Sequence, residues 1–136
     1  MPRVALAFFT VAPIYGLAGM VWGIIMGASG DHQLFPAHAH LNLLGLVLMS
    51  IMGTFYALAG EKVSHRLAWA NFVLSNAAVL IMVPTLAQLL SLGENNPAAA
   101  KLIPIISVGE GLAVLGLLAF LVSILSLWRA KPAVQA

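Results

Sequence analysis

Four long apolar runs dominate the pattern of hydrophobic and polar positions along this chain of 136 residues. Each run is long enough to cross the hydrocarbon core of a bilayer as a helix, which takes about 20 residues. Short polar segments, rich in Gly, Pro, Asn and charged residues, separate the runs and predict tight connections between antiparallel neighbours. The pattern predicts an all-α polytopic membrane protein with a single domain over residues 1–136. Its predicted transmembrane helices cover about 4–27, 36–59, 67–90 and 102–128.

Composition strengthens the assignment to the membrane. Hydrophobic residues make up 62% of the chain and charged residues 7%, a balance that would leave the surface of a soluble domain of this size largely apolar. The lack of cysteine excludes disulfides, Fe–S clusters and thiolate metal sites. The net charge is only +2, and the basic residues stand singly at the ends of the apolar runs. The expected partner of this surface is therefore the lipid bilayer, and not nucleic acid.

The basic residues are divided unevenly between the two ends of the predicted helices. Of the Lys and Arg residues, only Lys101 lies in the first or third connection. The N-terminus, the second connection and the C-terminus hold Arg3, Lys62, Arg66, Arg129 and Lys131. Because cytoplasmic segments of membrane proteins carry an excess of Lys and Arg, both termini are expected to be cytoplasmic. The expected location is a bacterial-type inner membrane.

Several titratable side chains are predicted to share the opposite, outer end. His32 lies in the first connection. Pro36 suits the first turn of the second helix, which puts His38 and His40 in its opening turns. Glu110 should lie about 12 Å inside the start of the fourth helix, at roughly 1.5 Å per residue. Imidazole and carboxylate groups are costly in hydrocarbon unless they are paired or bind a ligand, so the outer end holds the candidate chemistry.

The spacing of the two histidines limits the kind of site that they could form. Residues two apart in an α-helix are rotated by about 200°, so His38 and His40 should point to nearly opposite sides. They cannot hold one ion together unless the helix starts after them. Asn42 stands four residues after His38, where a zinc site on one helix would need a second ligand. It should share a face with His38 and either orient that ring or hydrogen-bond the group that the ring binds. Hydrogen bonds to headgroups or backbone are the structural alternative for both imidazoles.

Glycines recur at helical spacing in the first two predicted helices. They are Gly16, Gly19, Gly23 and Gly27 in the first helix, and Gly45 and Gly53 in the second. Such spacing lets another helix approach closely, and we interpret these faces as packing surfaces.

The stretch FPAHAHLNLLGLVLMSIMGTFYAL, which follows YGLAGMVWGIIMG, resembles the second helix of haem-copper oxidase subunit I and its relatives, including the nitric oxide reductase and cbb3-type branches. In that family a histidine of the second helix binds a low-spin haem, and twelve helices form three similar quartets. The resemblance implies that this chain corresponds to one quartet and assembles as a homotrimer. It also implies a b-type haem between adjacent subunits, held by His38 of one subunit and His40 of the next, with Asn42 beside them. The implied activity is electron transfer or gas sensing.

The chain departs from that family in its catalytic features. It has no counterpart of the three-histidine copper site, no segment like His-Pro-Glu-Val-Tyr and no row of acidic residues for a proton channel. Full oxygen reductase activity is therefore not expected, and no catalytic residue is assigned.

Two functions of other classes remain open. The protein could bind or transport copper or zinc through His32, His38, His40 and Glu110, because imidazole and carboxylate suit those ions. Alternatively, it could be an assembly subunit that holds no cofactor and uses its glycine faces for packing. A Soret absorbance band would favour haem, and bound copper or zinc without that band would favour the metal site.

Overall fold

The computed structural model describes residues 1–93 and 96–129 and confirms the predicted all-α class. Its α-helices are α1 (Arg3–Ser29), α2 (Phe35–His40), α3 (Met49–Ala59), α4 (His65–Leu92) and α5 (Ile103–Arg129). In this part of the chain four helical spans are long and apolar enough to cross a membrane, namely Arg3–Ser29, Phe35–Lys62, His65–Leu92 and Ala99–Trp128. Lys131, one of the basic residues behind the predicted orientation, lies outside the described residues.

The second span, Phe35–Lys62, is a continuous helix whose pitch changes along its length. A π-helical segment, Leu41–Leu48, joins α2 to α3, and a 3₁₀ turn, Gly60–Lys62, follows α3. π-Helices are rare and occur mostly as short insertions in α-helices, frequently at functional sites. This one begins directly after His40 and contains Asn42, so the irregular pitch falls within the candidate site. The hydrophobic pattern did not predict it, because the apolar run continues unchanged across the segment.

Glycine and proline define the turn between α1 and the second span. Gly30 adopts a left-handed conformation (φ 71°, ψ 0°) that is easy for glycine, and its N–H donates to the carbonyl of Met26 at 2.9 Å. Pro36 stands in the first turn of α2, where its missing N–H leaves no helical hydrogen bond unmade. The side chain of Gln33 donates to the carbonyl of Leu90 at 2.8 Å and ties the turn to the end of α4.

Glycines on α1 form the surface against which the second span packs. Gly16, Gly19 and Gly23 receive the side chains of Leu46, Asn42 and His38, respectively. A Cβ on Gly19 would overlap the amide of Asn42, so the contact requires glycine there. In the other direction, Gly45 of the second span lies against Tyr15 and Gly53 against Phe8. The predicted packing role of these glycines is confirmed, except that nothing lies within 4 Å of the Cβ position of Gly27.

The outermost helix of the bundle is α5, which packs mainly against α4. A Cβ on Gly109 would lie 3.1 Å from the main-chain N of Met82, and Gly116 meets Ser75 in a similar contact. Only 11% of the most apolar window of the fourth span is buried, against 33% in each other span. One side of α5 is therefore open to lipid or to another subunit.

A buried hydrogen-bond network joins α3, α4 and α5. The Asn71 amide donates to the Tyr56 hydroxyl (2.9 Å), and the Ser75 hydroxyl donates to Oδ1 of Asn71 (2.9 Å). The hydroxyl oxygens of Tyr56 and Ser123 are 3.1 Å apart. These side chains are all buried, and within the described residues no buried side-chain N or O atom lacks a partner. Between apolar helices such a network stabilises the bundle, because no water is present to replace a lost partner.

Asn71→Ala is expected to lower the free energy of unfolding by about 1 kcal/mol, because it removes two hydrogen bonds from this network. Reversible unfolding of the purified chain in mixed micelles, followed by circular dichroism, measures the loss. Ser91→Ala is the control, since Ser91 is exposed near the end of α4 and bonds only to its own helix at the carbonyl of Ala87. Equal stability of the two variants would contradict the prediction.

Candidate functional site

His40 is exposed near the start of the second span, and one of its ring nitrogens already has a hydrogen-bond partner. Nδ1 lies 2.7 Å from the carbonyl oxygen of Pro36. A carbonyl oxygen can only accept, so Nδ1 donates and the neutral ring carries its lone pair on Nε2. The same kind of hydrogen bond fixes the tautomer and orientation of metal-ligating histidines in proteins. His40 is therefore an exposed imidazole prepared to donate an electron pair from Nε2.

His38 lies in different surroundings, at the contact between the second span and α1. It is half-buried, with the ring of Trp22 edge-on at 6.2 Å between centroids and the ring of Phe35 at 6.1 Å. Its Cε1 edge faces Gly23, where an added Cβ would lie 3.1 Å away. The two imidazoles thus face separate environments, one aromatic and partly enclosed, the other open.

The Asn42 side chain lies against the ring of His38. Its amide donates to the main-chain carbonyl of His38 at 3.0 Å. The same nitrogen lies 3.4 Å from Nδ1 and 3.3 Å from Nε2 of that ring, longer than an ordinary N–H hydrogen bond. The amide therefore packs against the imidazole without strongly engaging either ring nitrogen. Gly19 holds the amide from the other side, since only a residue without a Cβ fits there.

The other two candidate ligands, His32 and Glu110, do not form a cluster with this pair. His32 is exposed in the first connection, with Nδ1 3.0 Å from the carbonyl of Gly30. Glu110 is exposed on α5. Across residues 1–93 and 96–129, no three His, Asp or Glu side chains are grouped closely enough to hold a metal ion. His65 belongs to the opposite end, where its Nε2 accepts a hydrogen bond from Trp69 at 2.9 Å.

Sequence reasoning missed several groups that shape this site. Phe35 stands three residues before His38, a helical spacing that places the two side chains on one face and could have revealed the contact. Trp22 belongs to α1, so its contact with His38 depends on how two helices pack. The carbonyl of Pro36 carried no sequence signal beyond its place four residues before His40.

One chain therefore offers one imidazole to each of two environments. Comparison of the chain with family models, curated proteins and solved structures found no match. The resemblance to haem-copper oxidase subunit I consequently rests on the residues of the first two spans, and any function must be argued from the geometry around His38 and His40.

Proposed function

We propose that this protein binds a b-type haem near the outer face of the membrane and serves in electron transfer or gas sensing. The observation that carries the proposal is the geometry of His40. Its Nδ1 is hydrogen-bonded to the carbonyl oxygen of Pro36, so Nε2 is the ring nitrogen whose lone pair can bind a metal, and the side chain is exposed. Haem iron takes neutral imidazole nitrogen as an axial ligand, and iron held in this way supplies one-electron redox chemistry.

The surroundings of His38 support its role as the second axial ligand. Trp22 and Phe35 provide the flat, apolar contacts that a porphyrin ring needs, and neither ring nitrogen is used in a short hydrogen bond. Asn42 would hold the imidazole in one orientation, as partners outside the ligand set commonly do at metal sites. The π-helical segment that begins after His40 also supports the assignment, because such segments are frequent at functional sites.

The divergence of the two rings favours a site shared between subunits. In this arrangement His38 of one subunit and His40 of the next bind the same haem, and a homotrimer closes the ring of interfaces. The exposed side of α5 supports association, because close contact with another chain would bury it. The proposed setting is a bacterial-type inner membrane with both termini cytoplasmic, on the distribution of Lys and Arg.

The test is the reduced-minus-oxidised absorbance spectrum of the protein purified in mild detergent, with metal analysis of the same sample. The wild type is expected to show the bands of a bis-imidazole b-type haem. His38→Ala and His40→Ala should each lose these bands, whereas His65→Ala should keep them, because His65 lies at the other end of the bundle. Haem retained in full by either of the first two variants would contradict the proposal.

Co-expression of His38→Ala with His40→Ala tests whether the haem site is shared between subunits. An interface that pairs the intact His38 of one variant with the intact His40 of the other is complete, so random mixing should restore up to roughly a quarter of the sites. No recovery would place both ligands within one chain. The metal-binding alternative would be favoured if the protein contained copper or zinc but no haem, and if His32→Ala and Glu110→Gln also lowered its metal content. The ligands would then be His32, His38, His40 and Glu110, drawn from more than one chain.

A further inference from the structure

A cavity lies at the opposite end of the bundle from His38 and His40. It is bounded by the start of α1, the end of the second span and the start of α4, and we refer to it as the terminal cleft. Its lining includes Arg3, Tyr56, Glu61, Lys62, Ser64 and Ala68. Its volume of about 760 Å³ falls within the range of roughly 300–1,000 Å³ that is usual for small-molecule sites.

Positive charge predominates around the terminal cleft. Arg3 and Lys62 contribute two exposed cations, and Glu61 contributes one exposed carboxylate. Arginine offers a planar fork of donors and lysine offers three donors on a flexible stem, and both groups bind phosphate well. The side chains at the rim therefore favour an anion.

The two helices that begin at the cleft add to this preference. The first turns of α1 and α4 carry no acidic residue, and neither helix has a side-chain hydrogen bond capping its start. Ser64 occupies the capping position of α4 without using its hydroxyl for that purpose. No side chain therefore caps the first N–H groups of either helix, and the positive ends of the two helix dipoles add to the charge of the two cationic side chains.

The inner wall of the cleft is apolar. Val4, Val63 and Ala68 are each less than 8% exposed. Tyr56 also lines the cleft, but its hydroxyl is occupied by Asn71 and Ser123. A cationic rim above an apolar wall suits an amphipathic anion better than a free inorganic ion, and the site lies at the ends of three helical spans that are long and apolar enough to cross a membrane.

We propose that the terminal cleft binds the phosphate group of an anionic phospholipid from the surrounding leaflet. Arg3 and Lys62 contact the phosphate, the helix starts contribute N–H groups, and the glycerol and upper acyl segments lie against Val4 and Val63. The lipid in this position joins α1 to the turn between the second span and α4. The site is independent of the proposed haem site, which lies at the other end of the bundle.

Thermal unfolding of the delipidated full chain, titrated with phosphatidylglycerol, phosphatidylcholine or inorganic phosphate, tests the proposal. Phosphatidylglycerol is expected to raise Tm saturably, with little effect of phosphatidylcholine. In the double variant Arg3→Gln/Lys62→Gln, each lost charge should raise the phosphatidylglycerol concentration at half of the Tm shift by roughly fivefold. Arg66→Gln is the matched control, because Arg66 is an exposed cation at the same end that does not line the cleft.

Removing the negative charge from the cleft gives an independent check if the double variant fails to fold. Glu61→Gln removes the carboxylate from the cleft and should lower the phosphatidylglycerol concentration at half-shift, by up to about fivefold. An unchanged titration of Glu61→Gln, or an equal loss of affinity in Arg66→Gln, would overturn the proposal. Equal stabilisation by phosphatidylcholine would overturn it as well, and a saturable shift with inorganic phosphate alone would replace the lipid by a free phosphate.

Discussion

Gly109→Leu is expected to separate α5 from α4 and to lower the free energy of unfolding by about 3 kcal/mol. A Cβ at this position would lie 2.9 Å from Cβ and 3.1 Å from the main-chain N of Met82. Main-chain atoms in the middle of a helix cannot yield as a flexible side chain can, so the whole of α4 must move. Reversible unfolding in mixed micelles measures the loss of stability.

Gly111→Leu provides the matched control in the same helix. No atom lies within 4 Å of the Cβ position of Gly111, and the residue is exposed. The change in helix propensity is the same in both variants, so the difference between them isolates the contact with Met82. If Gly111→Leu destabilised the monomeric bundle as strongly as Gly109→Leu, the packing of α5 on α4 described above would be wrong.

Gly19→Leu is expected to disrupt both the packing of α1 and the candidate site, with a loss of stability of about 3 kcal/mol. The added side chain would occupy the volume of the Asn42 amide and push the second span away from α1. Because Asn42 packs against the ring of His38, that imidazole should lose its fixed orientation. The variant should therefore show reduced stability together with reduced haem content, if haem is the bound group.

The control for this change is Gly27→Leu, about two turns further along α1. The Cβ position of Gly27 has no neighbour within 4 Å, so the substitution should leave stability and cofactor content nearly unchanged. Stability can be measured by unfolding, and cofactor content by absorbance and metal analysis of the same preparation. A normal cofactor content in Gly19→Leu, in a protein that is clearly destabilised, would argue against a positioning role for Asn42.

The position of Glu110 along its helix does not by itself bring the carboxyl into a metal site with the histidines. Its distance from the start of the fourth predicted helix predicted that the carboxyl lies in the outer half, together with the histidines. Packing through Gly109 and Gly116 turns other faces of α5 toward α4 and leaves Glu110 exposed. Within the described residues of one chain it is not grouped with His32, His38 and His40 closely enough to complete the metal site considered for them.

The four spans and the all-α class followed from the sequence because the bilayer imposes them locally. Its thickness sets the length of an apolar run, and its lack of water requires every backbone hydrogen bond to be made within the span. The divergence expected for His38 and His40, and the shared face of His38 and Asn42, came from helical periodicity in the same local way.

The tertiary structure decided the features that depend on distant partners. Glycine spacing predicted a close approach of helices, but only packing determined that Gly19 and Gly23 receive the polar side chains Asn42 and His38. The π-helical segment and the contact of Trp22 with His38 carried no local signal, since each reflects how the second span fits against α1. The terminal cleft arises from three chain segments that are far apart in the sequence and meet only because the helices pack antiparallel.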